Sequence, residues 1–330
     1  MAPSSLMNKE LFKKSLREGK TSWGSWITLA HPAIAEIMAK AGFTWLAVDL
    51  EHSVITIREA EELIRVIGLC GVVPLVRLSA NDPVQIKRVM DAGAHGVIVP
   101  MVNSAAQAEQ AVASVYYPPR GRRGVGLARA QGYGDDFEGY RKWLQQEAVV
   151  IVQVEHIQAV ENLDEILAVE GVDGFFVGPY DLSSSLGIPG QWAHAKMTEA
   201  LARIREIGGA SGKVPGIHVV EPDSEAARQA RAEGYRLIAY SLDIRLLDRA
   251  CRQGLAAIGG LNQYWRLLRS FRPGWGRHVF RASLWRRFRA CRWWVMFTSA
   301  PGCAAFCGRL TWPPVTGKSS TMSSPWGARR

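Results

Sequence analysis

The chain has 330 residues, enough for one large core or two smaller domains, and a formal charge of +10 that taken alone points to a polyanion binder. The charge is unevenly placed: from Asn262 onward there are 13 Lys and Arg and no Asp or Glu, so 27 of the 40 basic residues face 30 acidic ones over residues 1–261, and the body is mildly acidic. Cys70, Cys251, Cys291, Cys303 and Cys307 make no disulfide framework, Met1–Lys20 holds no apolar stretch of the secretory kind, and no run before residue 262 is long enough to span a bilayer; neither secretion nor a membrane span before residue 262 is expected, and a reducing cytoplasm fits.

From about residue 22 to 257, short apolar runs alternate with amphipathic helical stretches, the pattern of parallel strands joined by crossover helices. Strands are expected at Trp23–Leu29, Trp45–Asp49, Val73–Arg77, Gly96–Pro100, Val149–Glu155, Gly174–Val177, Val214–Val219 and Leu237–Ser241. Helices are expected between them, at Ala33–Ala41, Ile57–Ile67, Val84–Ala92, Ala105–Ala113, Val160–Leu167, Thr198–Ile207 and Ser224–Ala232, several closed by a glycine. Eight such units predict a (β/α)8 TIM barrel over residues 1–261. An open doubly wound sheet is the alternative, but its first strand-to-helix turn should carry a Gly-rich phosphate loop, and Leu29-Ala-His31-Pro32 does not.

One connection, roughly Val102 to Glu147, is long and includes Tyr117-Pro-Pro-Arg120-Gly-Arg-Arg123-Gly, which reads either as a lid or inter-subunit contact or as a solvated basic loop. Residues 262–330 form an Arg- and Trp-rich tail with seven of the chain's twelve Trp and no sustained periodicity. Such a composition predicts an unstructured segment or a shifted reading frame; a basic aromatic stretch could alternatively stack on single-stranded nucleic acid or lie on an anionic membrane.

In a barrel the C-terminal ends of the strands form the active face, and the reactive residues gather there. The second strand ends in Asp49-Leu-Glu51-His52, the third in Arg77, the fifth in Gln153-Val-Glu155, the sixth leads into Asp181, and the seventh holds His218. Strand alternation puts Ile151, Gln153 and Glu155 on one face, as it does Val73, Leu75 and Arg77, so apolar layers lead up to a polar rim. A carboxylate after a buried strand is costly unless a cation meets it, and Glu155 and Asp181 read as a divalent-metal site. Two carboxylates with water and an oxygen-rich ligand suit Mg²⁺ or Mn²⁺, with Co²⁺ also acceptable, whereas zinc would want more His or Cys. The competing reading has each carboxylate capping the helix after it. No lysine lies at a strand end of the rim, which argues against a Schiff-base mechanism. His31, His95, His156 and His194 stand apart and read as structural.

The motifs Asp49-Leu-Glu51-His52-Ser, Pro74-Leu-Val-Arg77, Asp91-Ala-Gly-Ala, Tyr117-Pro-Pro-Arg-Gly-Arg-Arg123-Gly, Gln153-Val-Glu155 and Gly178-Pro-Tyr-Asp181-Leu-Ser-Ser-Ser-Leu-Gly187 together resemble the HpcH/HpaI aldolase family, metal-dependent class II pyruvate aldolases, from about residue 5 to 260. The resemblance implies that Glu155 and Asp181 ligate the metal, that Arg77 stabilises the pyruvate enolate, and that His52, paired with Asp49, moves the proton of the substrate hydroxyl. It places Gln153, the amides around Gly178, Pro179 and Trp26 against an oxo acid, and Asp91 and Arg123 near a neighbouring subunit. It also implies a homo-oligomer, a hexamer, with its last helix exchanged between protomers. Tyr180 and His218 depart from the residues expected there and are placed at the border of the aldehyde pocket. The activity implied is reversible cleavage of a 4-hydroxy-2-oxo acid to pyruvate and an aldehyde. The alternatives are a carbon–carbon lyase acting on a CoA thioester and, in another class, nucleic-acid or membrane binding through the tail.

Overall fold

A computed structural model describes residues 12–259, and the expected tail beyond 262 lies outside them. The apolar runs pair in parallel into one closed barrel, each strand bonded to the next in chain order and the last to the first. The strands are β1 (Ser22–Ile27), β2 (Trp45–Asp49), β3 (Val73–Arg77), β4 (Gly96–Val99), β5 (Val149–Val154), β6 (Gly174–Val177), β7 (Val214–Val219) and β8 (Leu237–Leu242). Closure rules out the open doubly wound sheet.

Before, between and after the strands run α1 (Phe12–Arg17), α2 (Pro32–Lys40), α3 (Ile57–Leu69), α4 (Pro83–Asp91), α5 (Ala105–Val115), α6 (Phe137–Glu147), α7 (Ile157–Glu161), α8 (Leu163–Ala168), α9 (Pro179–Ser185), α10 (Ala195–Ala210), α11 (Ser224–Ala232) and α12 (Asp243–Ala257). Polar residues start them where they should. Thr56 and Glu59 form a reciprocal capping box on α3, and Asp82, Ser104 and Asp223 accept from first-turn amides of α4, α5 and α11. His31, His156 and His194, read as structural, are also caps: each offers Nδ1 to a first-turn amide.

Two cores result. Between barrel and helices lies a belt of aliphatic side chains such as Val48, Ile64, Val76, Val97, Val152 and Ile166. Inside the barrel Trp26, Trp45, Leu75, Ile98, Ile151 and Phe176 stack in layers, with Trp26 and Phe176 edge to face at 5.6 Å. Gly24 makes room for this packing, since a Cβ there would lie 2.0 Å from the Trp45 ring. At the N-terminal end α1 closes the barrel, with Phe12 and Leu16 joining the interior cluster. Its Lys13 is 2% exposed and bonds the Ala148 carbonyl at 2.6 Å and Asp173 at 2.9 Å.

Some boundaries differ from those expected. β1 stops at Ile27 because the amides of Thr28 and Leu29 both turn to the Asp243 carboxylate, each at 2.8 Å, instead of a strand. β4 and β5 each end one residue early, so Pro100 and Glu155 stand just past the sheet, and β8 runs one residue further, to Leu242. The long connection after β4 is neither an open lid nor a solvated loop throughout. Beyond α5 it carries α6, capped by Asp136 and buried through Tyr140 and Leu144, and Arg123 is itself buried, its guanidinium 4.3 Å from the Tyr117 ring and bonded to the Tyr140 hydroxyl at 2.7 Å.

Candidate active site at the barrel mouth

The β2–β3 register sets Asp49 directly beside Arg77. Arg77 donates through Nε and Nη2 to the two oxygens of Asp49, at 2.9 and 2.6 Å, a bidentate pair in which Asp49 is 1% exposed. The guanidinium carbon sits 4.4 Å from the Trp26 ring, so the cation rests on an aromatic floor.

Asp49 also accepts the backbone amides of Glu51 and His52, at 3.0 and 3.2 Å, which folds the chain sharply after β2. The expected Asp49–His52 side-chain pairing is therefore corrected: both carboxylate oxygens are taken by Arg77, and Asp49 meets only the backbone of His52. The His52 imidazole stands 60% exposed, with Nε2 3.7 Å from Glu51. Glu51, to which the sequence reading assigned no role, lies 3.4 Å from Arg77 Nη1 and so links the imidazole to the guanidinium.

Glu155, 3% exposed, accepts from the Met101 amide at 3.2 Å and from the Gln153 side-chain amide at 2.5 Å. Burial first, then the Glu51 carboxylate and less so Asp181, push its pKa up to about 7, opposed by the Met101 amide and Arg77. Glu51 is shifted the same way, chiefly by burial. Gly178 lies against this carboxylate, where a Cβ would come within 2.6 Å of Glu155 Oε1. Asp181 follows in the first turn of α9, exposed at the mouth. Neither carboxylate is an N-cap: α7 is capped by His156 and α9 begins at Gly178 without a side-chain cap. The N-cap reading falls for both, while Asp181 keeps a place in the first turn of α9 where the helix dipole favours a negative charge.

These residues fit a hard divalent cation. Burial and neighbouring carboxylates, Asp181 among them, disfavour the charged forms of both Glu51 and Glu155, and the Gln153 carbonyl oxygen is buried without a hydrogen-bond donor. Among the described residues no three His, Cys, Asp or Glu side chains are already assembled as a ligand cluster, so Glu155 and Asp181 would supply only part of a coordination shell.

His218 donates from Nε2 to the Ser241 carbonyl at 3.1 Å, which fixes the hydrogen on Nε2. Burial, helped by Arg77, holds its pKa down to about 4, so the ring is neutral and packs edge to face on Trp26 at 5.7 Å. Asp49, His52, Arg77, Gln153, Glu155, Gly178, Pro179, Tyr180, Asp181, His218 and Trp26 thus belong to one end of the barrel. Asp91 and Arg123 do not. Asp91 closes α4 at the opposite end, and its Oδ1 and the Arg123 Nε and Nη1 are buried without hydrogen bonds.

The chain matches the HpcH/HpaI aldolase/citrate lyase family over residues 22–250. It belongs to that family. A hydroxypyruvate/pyruvate aldolase of Roseobacter denitrificans is 39% identical over 238 residues, 72% of this chain and 92% of the relative. A 2-keto-3-deoxy-L-rhamnonate aldolase of Escherichia coli is 39% identical over 248 residues, covering 74% of this chain and 91% of its own. Among solved structures, an HpcH/HpaI aldolase/citrate lyase family protein from Burkholderia cenocepacia superposes with a TM-score of 0.72 at 36% identity, over 76% of this chain and 99% of that one. This member of the family is accordingly a carbon–carbon lyase with an aldolase barrel, and among its described residues no helix is long and apolar enough to cross a membrane.

Proposed function

We propose that the barrel mouth is a divalent-metal pyruvate aldolase site that reversibly splits a 4-hydroxy-2-oxo acid into pyruvate and an aldehyde. The observation that carries this is Glu155: a buried carboxylate that faces two others, beside the Arg77 cation, at the catalytic end of a barrel. Glu155 and Asp181 would hold Mg²⁺ or Mn²⁺, which when bound supplies a Lewis acid for the 2-oxo group.

The chain's own residues supply the remainder. In the cleavage direction the 4-hydroxyl loses its proton, the C3–C4 bond breaks to release the aldehyde, and the bonding pair passes to C3 and the 2-oxo oxygen as an enolate. A proton returned to C3 completes pyruvate. Arg77, locked by Asp49 and supported on Trp26, stabilises the negative charge on that oxygen. His52, exposed beside Glu51 at the rim, takes the hydroxyl proton, since burial makes His218 a weak base. Gln153 and the amides around Gly178 and Pro179 orient the oxo acid, and Trp26 and His218 floor the pocket.

The chain acts as a homo-oligomer in this reading, a hexamer by resemblance. α12 supports that: of its residues only Asp243 is buried, and Ile244, Leu247 and Leu255 are exposed, a face suited to a second copy. Asp91 and Arg123, with buried atoms lacking partners, are proposed to lie at such a contact. Free thiols at Cys70 and Cys251 suit a reducing cytoplasm.

The test is pyruvate release from a 4-hydroxy-2-oxo acid with and without EDTA. Activity that vanishes with the chelator and returns with Mg²⁺ or Mn²⁺ is expected; full activity after metal removal would refute the proposal.

A further inference from the structure

The rim of the mouth is chemically divided. Asp49, Glu51, His52 and Arg77 all come from the ends of β2 and β3. Above β4 and β6, flanking Glu155 on either side, stand large apolar side chains left in the open: Met101 is 44% exposed, Tyr180 57% and Trp192 44%. Exposed apolar groups are common singly, but these three are built into place.

Tyr180 and Trp192 meet edge to face, with ring centroids 4.7 Å apart at 83°. One buried hydroxyl positions both. Ser183 Oγ donates to the Tyr180 carbonyl at 2.7 Å in the first turn of α9 and accepts the Gly190 amide at 3.0 Å from the loop that carries Trp192. That loop also returns the Ile188 amide to the Ser183 carbonyl at 2.9 Å and reverses direction at Gly187 and Gly190, both at positive φ. Across Glu155, Met101 sits at φ 53°, a left-handed conformation unusual for a residue with a side chain, and its amide is the one that bonds Glu155. Strain of this kind persists where the surroundings over-determine it and is concentrated at functional sites.

We infer that Tyr180, Trp192 and Met101 form the aldehyde subsite, and that it selects aldehydes bearing an apolar or aromatic substituent over small hydroxylated ones. The inference rests on the pyruvate aldolase reading, in which the oxo acid occupies the side of Arg77 and Gly178 and the leaving fragment projects outward past Asp181. The residue next to Asp181 is Tyr180, so the fragment's far end meets the aromatic pair rather than the charged β2–β3 side. An edge-to-face partner contributes about 0.5–1.5 kcal/mol beyond its buried area, a factor of roughly two to ten per ring in kcat/KM. The bond made in the synthetic direction joins pyruvate C3 to the aldehyde carbon, with the methyl proton lost from C3 and one gained by the aldehyde oxygen.

The test uses the full chain loaded with Mn²⁺. Exchange of pyruvate methyl protons in D₂O reports the oxo-acid half alone, and kcat/KM is measured for phenylacetaldehyde and glycolaldehyde. The wild type is expected to prefer phenylacetaldehyde by roughly tenfold or more, Trp192→Ala and Tyr180→Ala to cut that preference about fivefold each through the aldehyde KM, and Trp192→Phe to restore most of it. Equal use of the two aldehydes by the wild type, or a preference unmoved by either alanine, overturns the inference while leaving pyruvate exchange intact. A changed oligomeric mass with an unmoved preference also overturns it, by making the pair a subunit contact. No exchange in the wild type would refute the aldolase reading itself and this inference with it.

Discussion

The two ends of the barrel treat a buried charge in opposite ways. At the closed end Lys13, 2% exposed, is matched by Asp173 and the Ala148 carbonyl, and Phe12 and Leu16 seal it from water. At the open end Glu155, 3% exposed, faces the like charges of Glu51 and Asp181, and Gln153 turns a carbonyl oxygen inward with no donor. A satisfied buried ion pair fixes the fold. An unsatisfied carboxylate cluster of similar burial is tolerated only where a cation or substrate arrives to complete it. Changes at the two ends should therefore separate stability from turnover.

The largest effect is expected at the mouth. Glu155→Gln and Asp181→Asn should each lower aldol cleavage by on the order of 10⁴-fold, the several kcal/mol of charge stabilisation a metal site provides, without loss of thermal stability. Steady-state kinetics beside a melting curve checks both halves; a variant that simply unfolds would erase the contrast. Lys13→Ala should do the reverse. Leaving the largely buried Asp173 with only the Val150 amide at 3.0 Å and the exposed Arg17 at 3.8 Å costs about 3 kcal/mol of unfolding free energy, measured by denaturant titration, while kcat of the folded fraction stays near wild type.

The pH dependence of the metal-free protein sharpens the comparison. Glu155 binds its proton more tightly when folded, with its pKa raised from 4.5 to about 7, so its contribution to stability is complete below 4.5 and is lost as the pH rises through 7. Full ionisation removes on the order of 3 kcal/mol. His218 has the opposite sign: lowered from 6.5 to about 4, it contributes above 6.5 and its contribution is lost as the pH falls toward 4. The two oppose each other in the wild type. Glu155→Gln should remove one of them, so that the metal-free variant is more stable than the wild type at about pH 8 and loses stability steadily on acidification. Denaturant melts across that range give the answer; superimposable profiles would mean Glu155 is not buried as described.

The smallest effect is expected at Gly178→Ala. The added methyl would come within 2.6 Å of Glu155 Oε1, so the carboxylate must shift. Metal affinity should fall roughly tenfold, with the melting temperature nearly unchanged, since the displaced group lies at an open rim.

Much of this was legible in the sequence, for physical reasons. Parallel strands buried on both faces leave apolar runs such as Val149-Val-Ile-Val, and the acidic residues that end them announce the rim. The closing helix α1 was not legible: its six residues include Lys13, Lys14 and Arg17, and a lysine buried by a distant Asp173 looks the same in sequence as one in solvent. α6 was hidden likewise, its polar stretch burying only Tyr140 and Leu144 fully, with Phe137 and Trp143 packed partly against the core. Glu51 stood in view between Asp49 and His52, but its contact with Arg77 depends on the β2–β3 register and the turn that follows. The same register diverted Asp49 from the His52 ring to Arg77. Trp192 carried no motif, and only the hydrogen bonds of Ser183 bring it to Tyr180.

The claim that Glu155 and Asp181 jointly hold a divalent cation is tested most directly by calorimetric titration of the metal-stripped protein with Mn²⁺ in the presence of pyruvate. One ion bound per chain in the wild type, with binding abolished in both Glu155→Gln and Asp181→Asn, is the predicted result. Unchanged affinity and stoichiometry in either variant would contradict it.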